Sequence, residues 1–374
     1  PVEMPLECPC PVLAVGGQLK ATFALGRGRF AFLSHHLGDL DHYEAYRAFL
    51  KDVALYEELF AVNPALLAHD LHPDYCSTRY ALERARREGI RAVAVQHHHA
   101  HVASCMAEHG LDEPVIGVAF DGTGYGPDGS VWGGEFLVGD YRRFRRAAHL
   151  RRVGMPGGEQ AIREPWRMAV AHLLDAGEDL VLAGGPSGTA LRTVGKMLER
   201  GLNSPMTSSA GRLFDAVAAL AGVRRRVSYE GQAAMELEWH AADTAPDGAY
   251  PFGVDAPHSG NGGVSPAPLV VDTRPLIRAV AEDVRRGGKM GRIARRFHST
   301  LVDVIADVCG RVRQTTGLGV VVLSGGVFMN ALLTQEVSAR LGGEGFRVYR
   351  HRLVPPNDGG LSLGQLAVAA RRDS

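Results

Sequence analysis

Apolar positions along this chain follow two periods. Short runs of β-branched and aromatic residues bounded by glycines read as strands and tight turns. The first such unit is Val12 to Val15, the turn Gly16-Gly17-Gln18-Leu19-Lys20, Ala21 to Leu25, then Gly26-Arg27-Gly28 and a strand from Arg29 to Leu33. It returns downstream as Val115 to Phe120, the turn Asp121-Gly122-Thr123-Gly124-Tyr125-Gly126, and Ser130 to Val138. After the first unit the spacing turns helical, with Tyr46, Phe49, Leu50, Val53, Tyr56 and Phe60 on one face. Strands and helices then alternate: Leu66 to Ala68, a helix around Ser77 to Glu88, the strand Arg91 to Val95, and a helix from about His97 to His109. The middle is mainly helical (Ile162 to Ala176, Leu191 to Arg200, Gly211 to Ala221, Gly231 to Ala241). A Pro/Gly-rich, strand-poor segment from Asp243 to Pro268 reads as a solvated insertion or a lid. The α/β pattern resumes with long helices from Pro275 to about Thr316, the strand Gly319 to Ser324, a helix from about Asn330, the strand Arg347 to Arg350 and a last helix from about Gly359.

Two α/β lobes, each opened by a strand-turn-strand unit, predict a duplicated fold with a cleft between its halves. Residues 1–110 are expected to form the first lobe and 111–374 the second, with a helical insertion at about 151–265 and a closing α/β part. Ligands in such folds sit where strand C-termini and helix N-termini converge.

Composition narrows the classes. The 374 residues are 45% hydrophobic, enough for a sizeable core. Forty-one basic residues balance 41 acidic ones, so no global positive field is available to hold a nucleic-acid backbone. The arginine clusters Arg142 to Arg152 and Arg224 to Arg226 read as solvated faces, or as patches for RNA or an acidic partner. No run approaches the roughly 20 apolar residues of a membrane span and no signal peptide opens the chain, which is expected to be soluble and cytoplasmic. Five scattered cysteines make no disulfide framework, and Cys8-Pro-Cys10 reads as an irregular leader, or as a metal-binding pair.

Candidate chemistry concentrates in Val95-Gln96-His97-His98-His99-Ala100-His101, which places four of 16 histidines in five positions. On a helix His97 and His101 share a face with Cβ atoms about 5–6 Å apart, a spacing that suits two imidazoles on one divalent metal or, more plainly, a structural histidine cluster. His98 and His99 point off that face. Two histidines need a further ligand, and Asp358, in Val354-Pro355-Pro356-Asn357-Asp358-Gly359-Gly360, is placed to be one or simply to cap the last helix. Three glycine turns offer close backbone approach to phosphate or ribose: Gly16-Gly17 with Lys20, Asp121 to Gly124, and Ser324-Gly325-Gly326 ahead of Asn330. Together they suit a nucleotide between two lobes, although no Walker A loop or Rossmann fingerprint is present. Ser208-Ser209-Ala210-Gly211 caps a helix with Asp215 one turn inside, facing either a ribose hydroxyl or solvent, and Tyr229-Glu230-Gly231-Gln232-Ala233-Ala234 follows.

The segments Val95 to Ser104, Val118 to Gly126, Trp132 to Phe136, Met155 to Gly158, Arg163 to Arg167, Ser208 to Ala216, Glu230 to Ala234, Leu323 to Asn330 and Pro355 to Gly360 resemble the HypF carbamoyltransferase family of hydrogenase maturation over essentially the whole chain. The resemblance is to that family's last region, which is similar to the universal tRNA threonylcarbamoyladenosine transferases. It implies the duplicated actin-like ATPase fold of the sugar kinase, heat-shock protein and actin superfamily. The family's acylphosphatase, zinc-finger and adenylate-forming domains have no counterpart, so an excised C-terminal part, or partners acting in trans, is expected.

The resemblance further implies His97, His101 and Asp358 as ligands of iron or zinc, and Asp121, Gly122, Thr123 and Gly124 at the phosphates or carbamoyl group. It puts Asp215 and Gly231 at the ribose, and Asn330 with Gly325 and Gly326 near the adenine of ATP, AMP or carbamoyl adenylate. Lys20 matches a family position, with a catalytic phosphate contact inferred. The implied reaction is carbamoyl transfer to the C-terminal cysteine of the partner HypE. Asp-Gly-Thr-Gly at the second hairpin, where the tRNA-modifying relatives differ, favours this over tRNA modification. An O-carbamoyltransferase acting on a small hydroxylated metabolite, a non-catalytic nucleotide-binding docking module and, on the ligands alone, an iron oxygenase are the other readings.

Overall fold

The structure, a computed structural model, describes residues 1–180, 187–255 and 267–372. The first half contains β1 (Val2–Ala14), β2 (Ala24–Leu33), α1 (Tyr43–Leu59), β3 (Leu66–Asp70), α2 (Cys76–Glu88), β4 (Arg91–Val95) and α3 (His97–Glu108). Then come β5 (Val115–Tyr125), β6 (Val131–Gly139), β7 (Phe144–Leu150), β8 (Val153–Gly154), α4 (Glu159–Arg163), α5 (Trp166–Ala176), α6 (Gly188–Glu199), β9 (Met206–Thr207), α7 (Ala210–Leu220) and α8 (Gln232–Ala242). The chain closes with β10 (Gly253–Asp255), β11 (Leu269–Asp272), α9 (Arg274–Arg285), α10 (Met290–Thr316), β12 (Val320–Ser324), α11 (Ala331–Gly343), β13 (Arg347–Arg350) and α12 (Leu361–Arg372).

The duplication lies in the strand order. The first sheet runs β2-β1-β3-β4 and the second contains β6-β5-β12-β13 in the same relation. In each, an antiparallel hairpin contributes its first strand to a parallel run. The second sheet continues beyond β6 through β7, β11 and β10.

The first hairpin starts earlier than its sequence suggests. Val2, Met4, Leu6 and Cys8 are buried in alternation with exposed or half-buried neighbours, so the expected leader is strand. Prolines 5, 9 and 11 lack N–H groups, and the β1–β2 register shifts among them. Gly26 and Gly28 lie within β2, not between two strands. A Cβ on Gly26 would stand 2.9 Å from Cys8 Sγ, and burial pushes that thiol up to about 12, which disfavours the thiolate a metal needs.

Other expectations also shift. Pro165, which cannot continue a helix, divides the predicted helix Ile162 to Ala176 into α4 and α5. On α1, Phe49 and Val53 are buried but Leu50 is exposed. The described part of the Asp243–Pro268 segment holds only the short β10, paired with β11, and it is not wholly solvated, since Tyr250 is buried and its hydroxyl donates to Asp283. Residues 256–266 of it, and the lid reading with them, lie outside the described residues. The arginine clusters are largely paired internally, Arg146 with Glu135, Arg151 with Asp175, Arg152 with Asp128, Arg224 with Glu236 and Arg226 with Glu164.

The last helix departs from the expected division at residues 110/111. Leu361 through Ala370 of α12 are buried all round, so α12 needs cover on every side. It finds that cover between α3 and the first sheet, in one core with Val12, Ala14, Val95, Val102 and Ala103. Contact with α3 requires glycine at 364, where a Cβ would stand 1.8 Å from the Ala100 carbonyl oxygen. No helix among the described residues is long and apolar enough to cross a membrane.

Candidate functional site

The cleft chemistry begins at the end of β4. Gln96 caps α3 by accepting the His99 N–H at 2.9 Å, and its amide nitrogen donates to the Tyr125 carbonyl and to His98 Nδ1, each at 3.1 Å. This cap starts the helix at His97 and buries all four histidines. One turn apart, His97 and His101 bring their rings to 4.9 Å between centroids. Both Nε2 atoms lie 3.2 Å from Asp121 Oδ2, and 3.7 and 3.6 Å from Asp358 Oδ1. The donor atoms of these four residues all fall within 4.8 Å of one another.

The charges of this cluster depend on each other. Burial opposes charging His97 and His101, but Asp70, Asp358 and Asp121 outweigh it at His97, and Asp121 and Asp358 at His101, raising both. Burial likewise opposes charge on Asp121, yet His101 and His97 hold its carboxyl well below the usual range. Two imidazole nitrogens and two carboxylates converging in a buried wall form a donor set that fits a divalent cation.

Asp70, which ends β3, supports the cluster from behind. Its Oδ2 lies 2.8 Å from His97 Nδ1, and a carboxylate only accepts, so Nδ1 keeps a proton for Asp70 while Nε2 faces the cluster. Sequence reasoning missed Asp70, whose only signal is an acid closing the buried run Leu66-Leu67-Ala68-His69.

Asp121, Gly122, Thr123 and Gly124 do not form a turn. They continue β5 past an irregularity in its pairing, and the tight turn lies beyond, where Gly126 N–H donates to Ser130 O at 2.9 Å. The Asp121 carboxylate therefore joins the histidines, with Oδ1 accepting the Gly326 N–H at 2.9 Å. Gly124 must be glycine, because a Cβ would stand 2.4 Å from His98 Cε1 and 2.7 Å from His97 Cδ2. Ser209, the cap of α7, donates to the Asp121 and Gly122 carbonyls at 2.9 and 2.5 Å and ties α7 to this strand.

The remaining predicted residues divide. Gly17 lies beside Asp358, 3.4 Å from its Oδ2 to the position of a Cβ, and Lys20 points its ammonium to Glu230. Gly325, with φ of 100°, passes so close that a Cβ would meet Phe120 O at 2.2 Å, so the Gly325-Gly326 turn packs onto β5 and donates to Asp121. Asn330 spends its amide inside the protein, accepting the Leu333 N–H and bonding His298 Nε2, both at 2.8 Å. Asp215 is buried and ion-paired with Arg212 at 2.7 Å; burial, partly offset by Arg212, raises its carboxyl to about 6. Gly231, with φ of 78°, caps α8 beside Glu230. His99 bonds the Asp140 carbonyl at 2.6 Å, and burial lowers its imidazole to about 4.

A family model described as the HypF Kae1-like domain matches residues 7–108, and one described as carbamoyltransferase, Kae1-like domain, second subdomain, matches residues 117–365. The chain belongs to the HypF carbamoyltransferase family. It is 43% identical to carbamoyltransferase HypF2 of Cupriavidus necator over 96% of this chain and 46% of that protein. A carbamoyltransferase HypF homolog of the same organism is 42% identical, with 97% of this chain and 92% of that protein covered. Full-length HypF solved in the phosphate- and nucleotide-bound form superposes with a TM-score of 0.91 at 41% identity, covering 99% of this chain and 47% of that one. HypF of T. kodakarensis superposes with a TM-score of 0.87 at 29% identity, covering 99% and 48%. The chain thus spans about half the length of the first curated relatives it matches. Its fold is the duplicated actin-like ATPase architecture of two α/β halves about a cleft.

Proposed function

We propose that this chain is the transfer region of a carbamoyltransferase, moving a carbamoyl group from carbamoyl adenylate to the C-terminal cysteine of HypE. The observation that carries the reading is the buried meeting of His97, His101, Asp121 and Asp358 where both hairpins and the turn before α12 converge. These four residues would hold iron or zinc, Asp121 joining the three ligands the sequence suggested. When bound, such an ion supplies Lewis acidity to a carbonyl oxygen.

The chain's own groups do the rest. The Lys20 ammonium holds a phosphate oxygen of the adenylate, and the backbone from Gly122 to Gly124 keeps side chains out of its path. Gly231 and Asp215 lie toward the ribose, and Gly325, Gly326 and Asn330 shape the side on which adenine rests. Asp70 and Gln96 orient the first turn of α3 against the reacting centre. The HypE thiolate attacks the carbonyl carbon, a C–S bond forms, and the C–O bond to phosphate breaks with its electron pair leaving on AMP. The product is a thiocarbamate, the precursor of the hydrogenase cyanide ligands. Adenylate-forming and acylphosphatase domains, in cis or in trans, would supply the carbamoyl adenylate, and the reaction is placed in the cytoplasm.

The test is mass spectrometry of HypE after incubation with carbamoyl adenylate and this chain. A gain of about 43 Da on the terminal cysteine, one carbamoyl group replacing a proton, is expected. His101→Ala should lose that gain while keeping its circular dichroism, and full transfer by this variant overturns the assignment. Carbamoylation of a hydroxylated small molecule in place of HypE would identify an O-carbamoyltransferase, and no transfer to either a docking module.

A further inference from the structure

Lys20 and Glu230 meet across the cleft from opposite halves of the fold. Lys20 ends the first hairpin turn with φ of 48°, in the left-handed region that a lysine rarely adopts, and Asp39 holds it there by accepting its N–H at 2.8 Å. Glu230 immediately precedes Gly231 at the start of α8. Their side chains form an ion pair between residues 210 positions apart, at relative exposures of 36% and 44%. The second oxygen of Glu230 rests over β5, 3.5 Å from where a Cβ on Gly122 would stand. The Glu230 carboxylate, one oxygen on the Lys20 ammonium and the other over Gly122, fills the place where a ligand's phosphate would meet that ammonium.

We propose that Glu230 determines specificity by occupying the anion position at Lys20, so that free small anions are turned away and a phosphoryl group displaces it only when anchored by the rest of a nucleotide. This rests on the reading of Lys20 as the phosphate contact. With Glu230 paired, the Lys20–Glu230 couple carries no net charge, and small anions compete with a carboxylate tethered next to the ammonium. A nucleotide, which adds ribose and base contacts to its phosphate, wins that competition. An exposed pair of this kind favours the closed arrangement by a factor of about 2 to 5. The displaced carboxylate then lies beside the phosphate and repels it, adding a factor of similar size. Removing the charge of Glu230 should therefore tighten phosphate binding about tenfold.

Isothermal titration of inorganic phosphate into the chelator-treated chain tests this, with adenosine as the ligand that lacks a phosphoryl group. Glu230→Gln should bind phosphate about tenfold more tightly than the parent, leave adenosine unchanged, and keep its melting midpoint. Glu230→Asp, which restores the charge on a shorter arm, should fall between. If Lys20→Met abolishes phosphate binding while Glu230→Gln leaves it unchanged or weaker, Lys20 is the anion contact and the role given to Glu230 is wrong. If Lys20→Met binds phosphate as the parent does, the reading of Lys20 itself fails, and the proposal with it.

Discussion

Asp70→Asn removes a charge from the wall of the cleft without altering its shape. Asp70 is fully buried, and its two oxygens serve two donors, Oδ2 taking the His97 Nδ1–H and Oδ1 the His72 backbone N–H, each at 2.8 Å. Asparagine offers one oxygen and one NH2 group, so only one of those donors can be satisfied. If the oxygen keeps His72, the NH2 faces His97 Nδ1. A neutral imidazole then holds its proton on Nε2, the atom that lies 3.2 Å from Asp121 and would carry a metal. If the oxygen keeps His97, the His72 N–H meets another donor, and a lost buried bond costs about 1–3 kcal/mol of stability. Loss of such an outer partner typically weakens metal binding about 10–100-fold, or about 1.4–2.7 kcal/mol. Competition for zinc against a chromophoric chelator measures this directly, with thermal melting of the metal-free variant to establish that it is folded. A folded variant whose zinc affinity stays within about twofold of the parent refutes the role of Asp70.

Further outcomes follow from other buried groups. His172 lies in the core on α5, its Nε2 lacks a partner among the described residues, and burial lowers it to about 4 from 6.5. Between those values the unfolded chain takes up the proton first, so stability is full above pH 6.5 and falls toward pH 4 by up to about 3 kcal/mol. His172→Leu should remove that part of the loss, and urea denaturation at about pH 7 and about pH 4.5 giving the same difference in both proteins would exclude it. Arg146 stacks 4.0 Å over Trp132 and neutralises the fully buried Glu135, so Arg146→Ala should cost about 3–5 kcal/mol in denaturant unfolding, with a smaller loss when Glu135→Gln is added. Gly124→Ala drives a methyl group into His97 and His98 and should cost about 1–3 kcal/mol along with zinc affinity. Unchanged melting and zinc binding would mean that α3 yields freely.

Much of this was legible because hydrophobic period and glycine placement report local geometry. The repeated hairpins, the start of α3 at His97 and the strand Arg347–Arg350 follow from those signals. The strand through Cys8 was obscured by prolines, tolerated because that stretch of β1 pairs with β2 alone and meets β3 only from Val12 on, and β5 was cut short because its glycines serve close packing of His97, His98 and α7 instead of a turn. Periodicity cannot say which sheet covers a helix that is apolar all round, so the return of α12 to the first sheet was hidden. At the site, His97, His101 and Asp358 announce themselves by residue type and spacing. Asp70 and Glu230 act through partners 27 and 210 residues away, and pairings of that range leave no local trace. Asp215 and Asn330 were picked out by residue type, but the ion pair with Arg212 and the cap on Leu333 that fix their side chains are visible only in the structure.

The placement of α12 has a consequence for how the molecule is made. Synthesis delivers the histidine pair of α3 before Asp121, and Asp358 and the helix that covers the first sheet emerge only after both. Until then a nascent chain carries an open apolar face on its first half and an incomplete donor set. Docking of α12 closes both at once, placing Gly364 against Ala100 and Gln365 on both backbone groups of Gly16 while Asp358 reaches the histidines. A chain interrupted before that point holds at most three of the four donors, so tight metal capture would distinguish molecules in which α12 has docked from those in which it has not.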